Sequence, residues 1–199
     1  MTKTNRCGKS AVLSSQQLEM VIASLPEKYS LLAETLYYTA GRVSEISSLR
    51  VCNIHFEEGM VVIEKSSTKT RQTRYVPIPK SLLKNLESWI RLNNLKENDF
   101  VFFTSSRNCK VPSGGRHITT QAVDGVFRHT FDYIGIKGAS SHSFRRSRLT
   151  NLHVEEKWSL REIMDISGHK NLLSLQQYLD TDRNLTFEKY RRLFEKEKV

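Results

Sequence analysis

Residues 141–180 read SHSFRRSRLTNLHVEEKWSLREIMDISGHKNLLSLQQYLD. The stretch is expected to form three helices, at about 143–155, 159–166 and 172–180. It carries a His-x-x-Arg pair (His142, Arg145), a Gly-His pair (Gly168, His169), and Tyr178 nine residues beyond His169. Two imidazoles, a guanidinium and a phenol are suited to one task in particular. A guanidinium grips phosphate oxygens, imidazoles move protons, and a hydroxyl attacks phosphorus. Each residue also has a plainer reading. Tyr178 follows Leu175 by three residues and fits a core-facing stripe; His142 fits a helix cap; His169 fits a loop histidine with satisfied hydrogen bonds.

Upstream, TAGRVSEISSLR (39–50) places Gly41 at a tight turn and Ser44 at the cap of a short helix running to about Arg50. Arg42 then sits at the turn, aimed toward a cleft, with Glu45 three residues later to orient it; the plainer alternative is a surface ion pair. MVVIE (60–64) and TRYVPI (73–78) alternate as strands around the polar turn SSTKT (66–70), which makes a hairpin with Lys69 at or beside its tip. A lysine there is either solvated or delivered as a mobile ammonium into a neighbouring cleft.

The remaining elements supply a core. Ser14 or Ser15 caps a helix to about Leu25, stopped by Pro26, and a second helix spans about Tyr29 to Thr39 with Leu32 and Leu36 inward. Helix 81–92 carries Leu82, Leu83, Leu86, Trp89 and Ile90 on one stripe; FVFF (100–103) reads as a short buried extended segment; and a helix capped by Thr119 or Thr120 runs to about Ile134. Residues 105–116 are turn-rich and basic, suited to lie along a phosphate backbone.

Composition narrows the class. At 199 residues, 38% hydrophobic and 26% charged, the chain is long enough to bury a real core in one domain. Thirty-one Lys and Arg against 21 Asp and Glu leave a net charge of +10, which favours a polyanionic partner. Cys7, Cys52 and Cys109 form no C-x-x-C pair, which argues against a zinc site or a disulfide framework and fits a reducing, cytoplasmic compartment. No apolar run is long enough for a signal peptide or a membrane span.

The ordered set GRVSE (Arg42, Glu45), Thr-Lys-Thr (Lys69), HSFRRSRLTNL (His142, Arg145), SGH (His169) and QQYL (Tyr178) resembles the tyrosine recombinase, or phage integrase, family, and the resemblance runs from the first helix to Asp180. Two positions depart from the commoner pattern: Ser167 stands where Leu usually precedes Gly-His, and Phe144 where Leu is usual; both read as packing positions. The resemblance implies an α+β, mostly helical catalytic domain with a small antiparallel hairpin or three-stranded sheet. Its expected limits are a flexible basic arm (1–10), the catalytic domain (11–182) and a helical tail (183–199). Most of the family carries a further N-terminal helical domain, so this chain is expected to be either a catalytic-domain fragment or one of the short members.

By the same resemblance, Arg42, Arg145 and His169 bind the non-bridging oxygens, Tyr178 attacks to give a 3′-phosphotyrosine and a free 5′-hydroxyl, and Glu45 supports Arg42 or the hairpin lysine. A free phenol titrates at about pH 10, so its proton needs an acceptor, and His142 is the candidate; Lys69 protonates the leaving oxygen. No metal and no nucleotide cofactor is implied. The implied partner is double-stranded DNA; the protein is expected to be a homotetramer on paired sites and a monomer when free of DNA, with accessory DNA-bending proteins left open and no membrane. Two other functions compete. One is a type IB topoisomerase, which shares the chemistry but acts on one duplex. The other is a non-catalytic DNA-binding protein, since SLREIMDISGHKNLLSLQQYLD (159–180) also fits a helix-turn-helix.

Overall fold

Ser14 opens the first helix, α1 (Ser15–Ser24), with a capping box: its hydroxyl accepts the Gln17 amide while the Gln17 side chain accepts the Ser14 amide. The computed structural model describes residues 9–64, 72–104 and 112–179, together with Phe187, Tyr190, Arg191 and Phe194. Pro26 ends α1 and caps α2 (Glu27–Tyr38), which begins two residues earlier than the sequence pattern predicts. A proline tolerates that position because the first amides of a helix have no intrahelical partner.

After α2 the chain turns sharply into α3 (Val43–Ser47). The predicted turn glycine serves a different purpose here. Ala40, not Gly41, takes the left-handed conformation, at φ 46°. Gly41 is needed for space, since a Cβ would sit 2.7 Å from Ile46 Cγ1 and 2.9 Å from Thr39 Oγ1. The cap is likewise displaced: Arg42 occupies the N-cap in place of Ser44, and its amide donates to Glu45 Oε2 at 2.9 Å.

A single 3-10 turn (Val51–Asn53) leads to an antiparallel sheet of order β1-β2-β3, with β1 at Ile54–His55, β2 at Met60–Ile63 and β3 at Arg74–Pro77. Val61 pairs with Val76 and Ile63 with Arg74, which puts Arg74 and Val76 on the inward face and Tyr75 and Pro77 on the outward one. The residues between β2 and β3 that include Lys69 lie outside the described residues. The FVFF segment forms isolated bridges, Arg50 with Phe100 and Phe103 with His117, instead of a longer strand.

Three helices follow the sheet: α4 (Lys80–Leu92), α5 (Thr120–Tyr133) and α6 (Ser141–Val154). The chain then closes with α7 (Leu160–Ser167) and α8 (Leu172–Gln176). The last is shorter than predicted. It ends at Gln176, and Tyr178 sits in the turn beyond, its amide bonded to the Leu175 carbonyl at 2.8 Å.

Two apolar clusters hold these elements. The larger is built around Leu32, Leu36, Leu82, Leu86, Phe127 and Phe144. The smaller comprises Ala40, Leu149, Leu152, Ile163, Leu175 and Leu179, with Tyr178 packed against it. Helix α6 belongs to both, through Phe144 on one side and Leu149 and Leu152 on the other. Phe144 lies 5.0 Å from Phe127, ring to ring, which fixes the backbone at Arg145. Burial of one such aromatic is worth about 2–3 kcal/mol. At the N-terminal end, Ser10, placed in the arm by the sequence, is tied in by a 2.7 Å hydroxyl contact to Ser140. Among the described residues, no helix is long and apolar enough to cross a membrane.

Candidate active site

The seam between the two clusters is polar and buried. Helix α6 buries Arg145, Arg146, Ser143 and Ser147 beside its apolar residues, which an ordinary core helix would not do. Arg145 is 1% exposed. Its Nη1 donates to the Ala40 carbonyl, and its Nη2 donates to the Ser167 carbonyl at 2.9 Å and lies 3.1 Å from His169 Nε2. The left-handed turn at Ala40 therefore aims a carbonyl at the arginine. Burial, then the charges of Arg42 and Arg74, hold the Arg145 pKa down to about 9, against the pull of Glu45 and Tyr178. Arg145 is thus still a cation at neutral pH, in a place crowded with cations.

Glu45 is the centre of that crowd. It is buried, and it takes Arg42 Nη1 on Oε1 at 2.7 Å and Arg74 Nη2 on Oε2 at 2.7 Å. Burial, the largest single effect, pushes its pKa up. The charge and hydrogen bond of Arg74, followed by the bonds from Arg42, outweigh it and hold the carboxyl below its usual range. Arg42 keeps 16% side-chain exposure, so its fork is only partly engaged.

His169 follows Gly168, which ends α7 in the left-handed conformation at φ 68°. Its Nδ1 lies 2.6 Å from Ser167 Oγ. Burial first, then the charges of Arg145, Arg42 and Arg74, lower its pKa to about 3, so the ring is neutral. Arg145 Nη2 lies within 3.4 Å of both ring nitrogens, so the guanidinium rests over the neutral ring while Ser167 Oγ holds Nδ1. The Tyr178 ring, half-buried, lies 5.1 Å from the His169 ring and 5.4 Å from the Arg145 guanidinium carbon. A cleft of about 770 Å³ opens between β3 and α7, with Arg161 and Lys170 on its lining beside Arg74 and His169.

Of the residues singled out in the sequence, Arg42, Glu45, Arg145, His169 and Tyr178 come together here. His142 stands one turn before Arg145 on α6, exposed. Lys69 lies outside the described residues. Two participants were missed. Ser167, read as a packing position, hydrogen-bonds His169. Arg74, read as an ordinary strand residue, is buried on Glu45. The strand's period of two holds the signal for Arg74, because it sets that residue on the same face as Val76.

The sequence profile of the phage integrase family matches residues 11–184. The chain belongs to the phage integrase family. The tyrosine recombinase XerD of Chlorobaculum tepidum is 30% identical over 158 residues, covering 78% of this chain and 49% of that protein. The tyrosine recombinase XerA of Pyrococcus furiosus is 26% identical over 169 residues, covering 83% of this chain and 56% of that protein. This phage integrase family chain thus spans about half the length of these curated relatives. The crystal structure of XerA recombinase superposes with a TM-score of 0.75 at 20% identity, over 94% of this chain and 66% of that one. XerH site-specific recombinase, bound to palindromic difH substrate in a post-cleavage complex, gives a TM-score of 0.73 at 18% identity, over 96% of this chain and 55% of that one. These likenesses establish the fold: mostly helical, with a three-stranded antiparallel sheet.

Proposed function

We propose that the chain is the catalytic domain of a site-specific DNA recombinase that cleaves and rejoins duplex DNA through Tyr178. The observation that carries this reading is the packing of the Tyr178 ring against both the Arg145 guanidinium and the His169 ring, with Arg42 and Glu45 in the same cluster. A phenol beside fixed cations is what in-line attack on a phosphodiester requires. The net charge of +10, and the palindromic difH substrate to which XerH is bound, support a duplex as substrate.

In this reading Arg42 and Arg145 hold the two non-bridging oxygens. With Nδ1 held by Ser167 Oγ, His169 donates its Nε2–H to the same phosphate. Tyr178 Oη attacks phosphorus, its proton passing to His142. The bond from phosphorus to the 5′-oxygen breaks, and that oxygen takes a proton from Lys69. The product is a 3′-phosphotyrosine and a free 5′-hydroxyl, and the reverse attack rejoins the strand without a nucleotide cofactor. Chemistry of this kind needs no metal where guanidiniums neutralise the developing charge.

The active form is a homotetramer on two paired sites, assembled from monomers, with the tail docking in trans on a neighbour. Phe187, Tyr190 and Phe194 support this, since all three are helical, about half exposed and apolar. An isolated helix of that length is marginal in water and needs a surface.

The deciding experiment traps the covalent adduct on DNA, recovers the site by sequencing, and repeats the reaction with Tyr178→Phe. The adduct must vanish while DNA affinity stays near that of the wild type. An adduct that persists, on Tyr190 for instance, would refute the assignment.

A further inference from the structure

Arg74 opens β3, and its side chain turns inward, 6% exposed. Nη2 is spent on Glu45. Among the described residues, Nε and Nη1 are buried without a hydrogen-bond partner. They face the end of α7, where a Cβ on Gly168 would lie 2.9 Å from Nη1 and 3.3 Å from Cδ. A cation suits a helix C-terminus, and this one borders the cleft with its side chain almost wholly buried and one nitrogen committed to Glu45.

The electrostatic ledger of the cluster assigns it a purpose. Arg42, Arg74 and Arg145 contribute three positive charges, Glu45 one negative charge, and the neutral His169 none, which leaves +2. A phosphodiester carries one negative charge, and its five-coordinate transition state approaches two. Without Arg74 the surplus falls to one, and Glu45 is left to neutralise Arg42 alone. Two guanidiniums therefore share one carboxylate, so that neither is fully cancelled.

On the reading that Tyr178 cleaves DNA, we infer that Arg74 is a positioning residue: by occupying Oε2 of Glu45, it keeps the charge and the remaining donors of Arg42 available to the scissile phosphate. It acts through Glu45 and Arg42 and does not touch the substrate. It is also distinct from the hairpin lysine, five residues earlier, whose work is at the leaving oxygen.

The test uses the full chain and a nicked duplex bearing the site recovered from the Tyr178 adduct, read as single-turnover adduct formation with DNA affinity and thermal melting in parallel. Arg74→Met should slow cleavage by about 30-fold or more while changing affinity by less than about 3-fold, as loss of one preorganised electrostatic contact does. Adding Glu45→Gln to Arg74→Met removes the uncompensated carboxylate and should restore at least about 5-fold of the rate, because the surplus returns to two. A purely structural pair also predicts that the second substitution recovers the melting temperature, so rates are compared where every variant is fully folded, and recovery of the rate there is what the charge argument requires. Arg74→Lys, which keeps the charge on Glu45, should stay within about 10-fold of wild type, whereas Arg42→Lys should not; this comparison carries the test if Arg74→Met fails to fold. The inference is overturned if Arg74→Met matches wild type, if the double variant is no faster than Arg74→Met, if Arg74→Lys is as damaged as Arg42→Lys, or if sulfur at the leaving position restores Arg74→Met. Failure of the recombinase reading looks different: the wild type itself then forms no adduct.

Discussion

Gly168→Ala should damage both stability and cleavage, and a matched control separates the causes. Gly168 has φ 68° and Gly59 has φ 65°, so alanine meets nearly the same backbone penalty at each. That penalty is roughly 1–2 kcal/mol, which in a chain of this size lowers Tm by about 3–6 °C. The surroundings differ. Nothing lies within 4 Å of a Cβ at Gly59, whereas at Gly168 it would meet Arg74 Nη1 at 2.9 Å and Cδ at 3.3 Å. A long side chain normally swings aside at little cost. Arg74 is held by its 2.7 Å bond to Glu45 and by burial, so relief of the contact must move the pair. Overpacking of that kind adds about 1 kcal/mol or more. Melting curves should therefore place Gly168→Ala at least about 2 °C below Gly59→Ala, and single-turnover cleavage should fall for Gly168→Ala alone. Equal melting points with equal cleavage would show that Arg74 yields freely and that its seat beside Gly168 is unimportant.

Arg145→Lys should abolish detectable cleavage despite keeping the charge, because one ammonium cannot hold the Ala40 and Ser167 carbonyls and a phosphate together; adduct yield on a nicked duplex checks it, and a rate near wild type would remove Arg145 from the clamp. Lys69→Ala should be rescued on DNA whose leaving 5′-oxygen is sulfur, since a thiolate departs unprotonated; if His142→Ala is rescued in its place, the acid and base exchange roles. The lowered pKa of His169 makes stability depend on acidity. The unfolded ring takes a proton below about pH 6.5, and the folded ring resists to about pH 3, so stability present above 6.5 is lost as pH falls through that window. Denaturant midpoints between pH 7.5 and 5.5 should drop more for the wild type than for His169→Asn, with parallel slopes as the contrary result. Deletion after Thr181 should leave single-site binding intact and abolish assembly of the paired complex; unfolding of the truncated chain would instead place the tail in its own core.

The architecture was legible wherever apolar spacing alone decided an element. Leu32 with Leu36, and Leu82 with Leu86, face inward by their spacing and are buried. The misreadings fell where backbone polar groups decided the outcome. The Arg42 amide and the Glu45 carboxylate, not the Ser44 hydroxyl, define the start of α3, and a serine cap is the ordinary expectation from sequence. Likewise α8 stops at Gln176 although the apolar stripe continues to Leu179, so Tyr178 gains the freedom of a turn while its ring keeps the packing of a core residue.

The site residues were legible as a set of types at given spacings, but their arrangement was not, because a carboxylate shared by two arginines leaves no mark in spacing. Glu45 stands three residues from Arg42 and 29 from Arg74, and only the short separation looks like a pair. The longer one was nevertheless implied. Val76 is an inward strand residue, Arg74 precedes it by two, and a buried guanidinium must find acceptors, carbonyls as at Arg145 or a carboxylate as here. An arginine in phase with the buried face of a short strand is thus a demand for a partner. In this chain Glu45 answers it while remaining bonded to Arg42, and the same carboxylate links the start of β3 to the N-terminal end of α3.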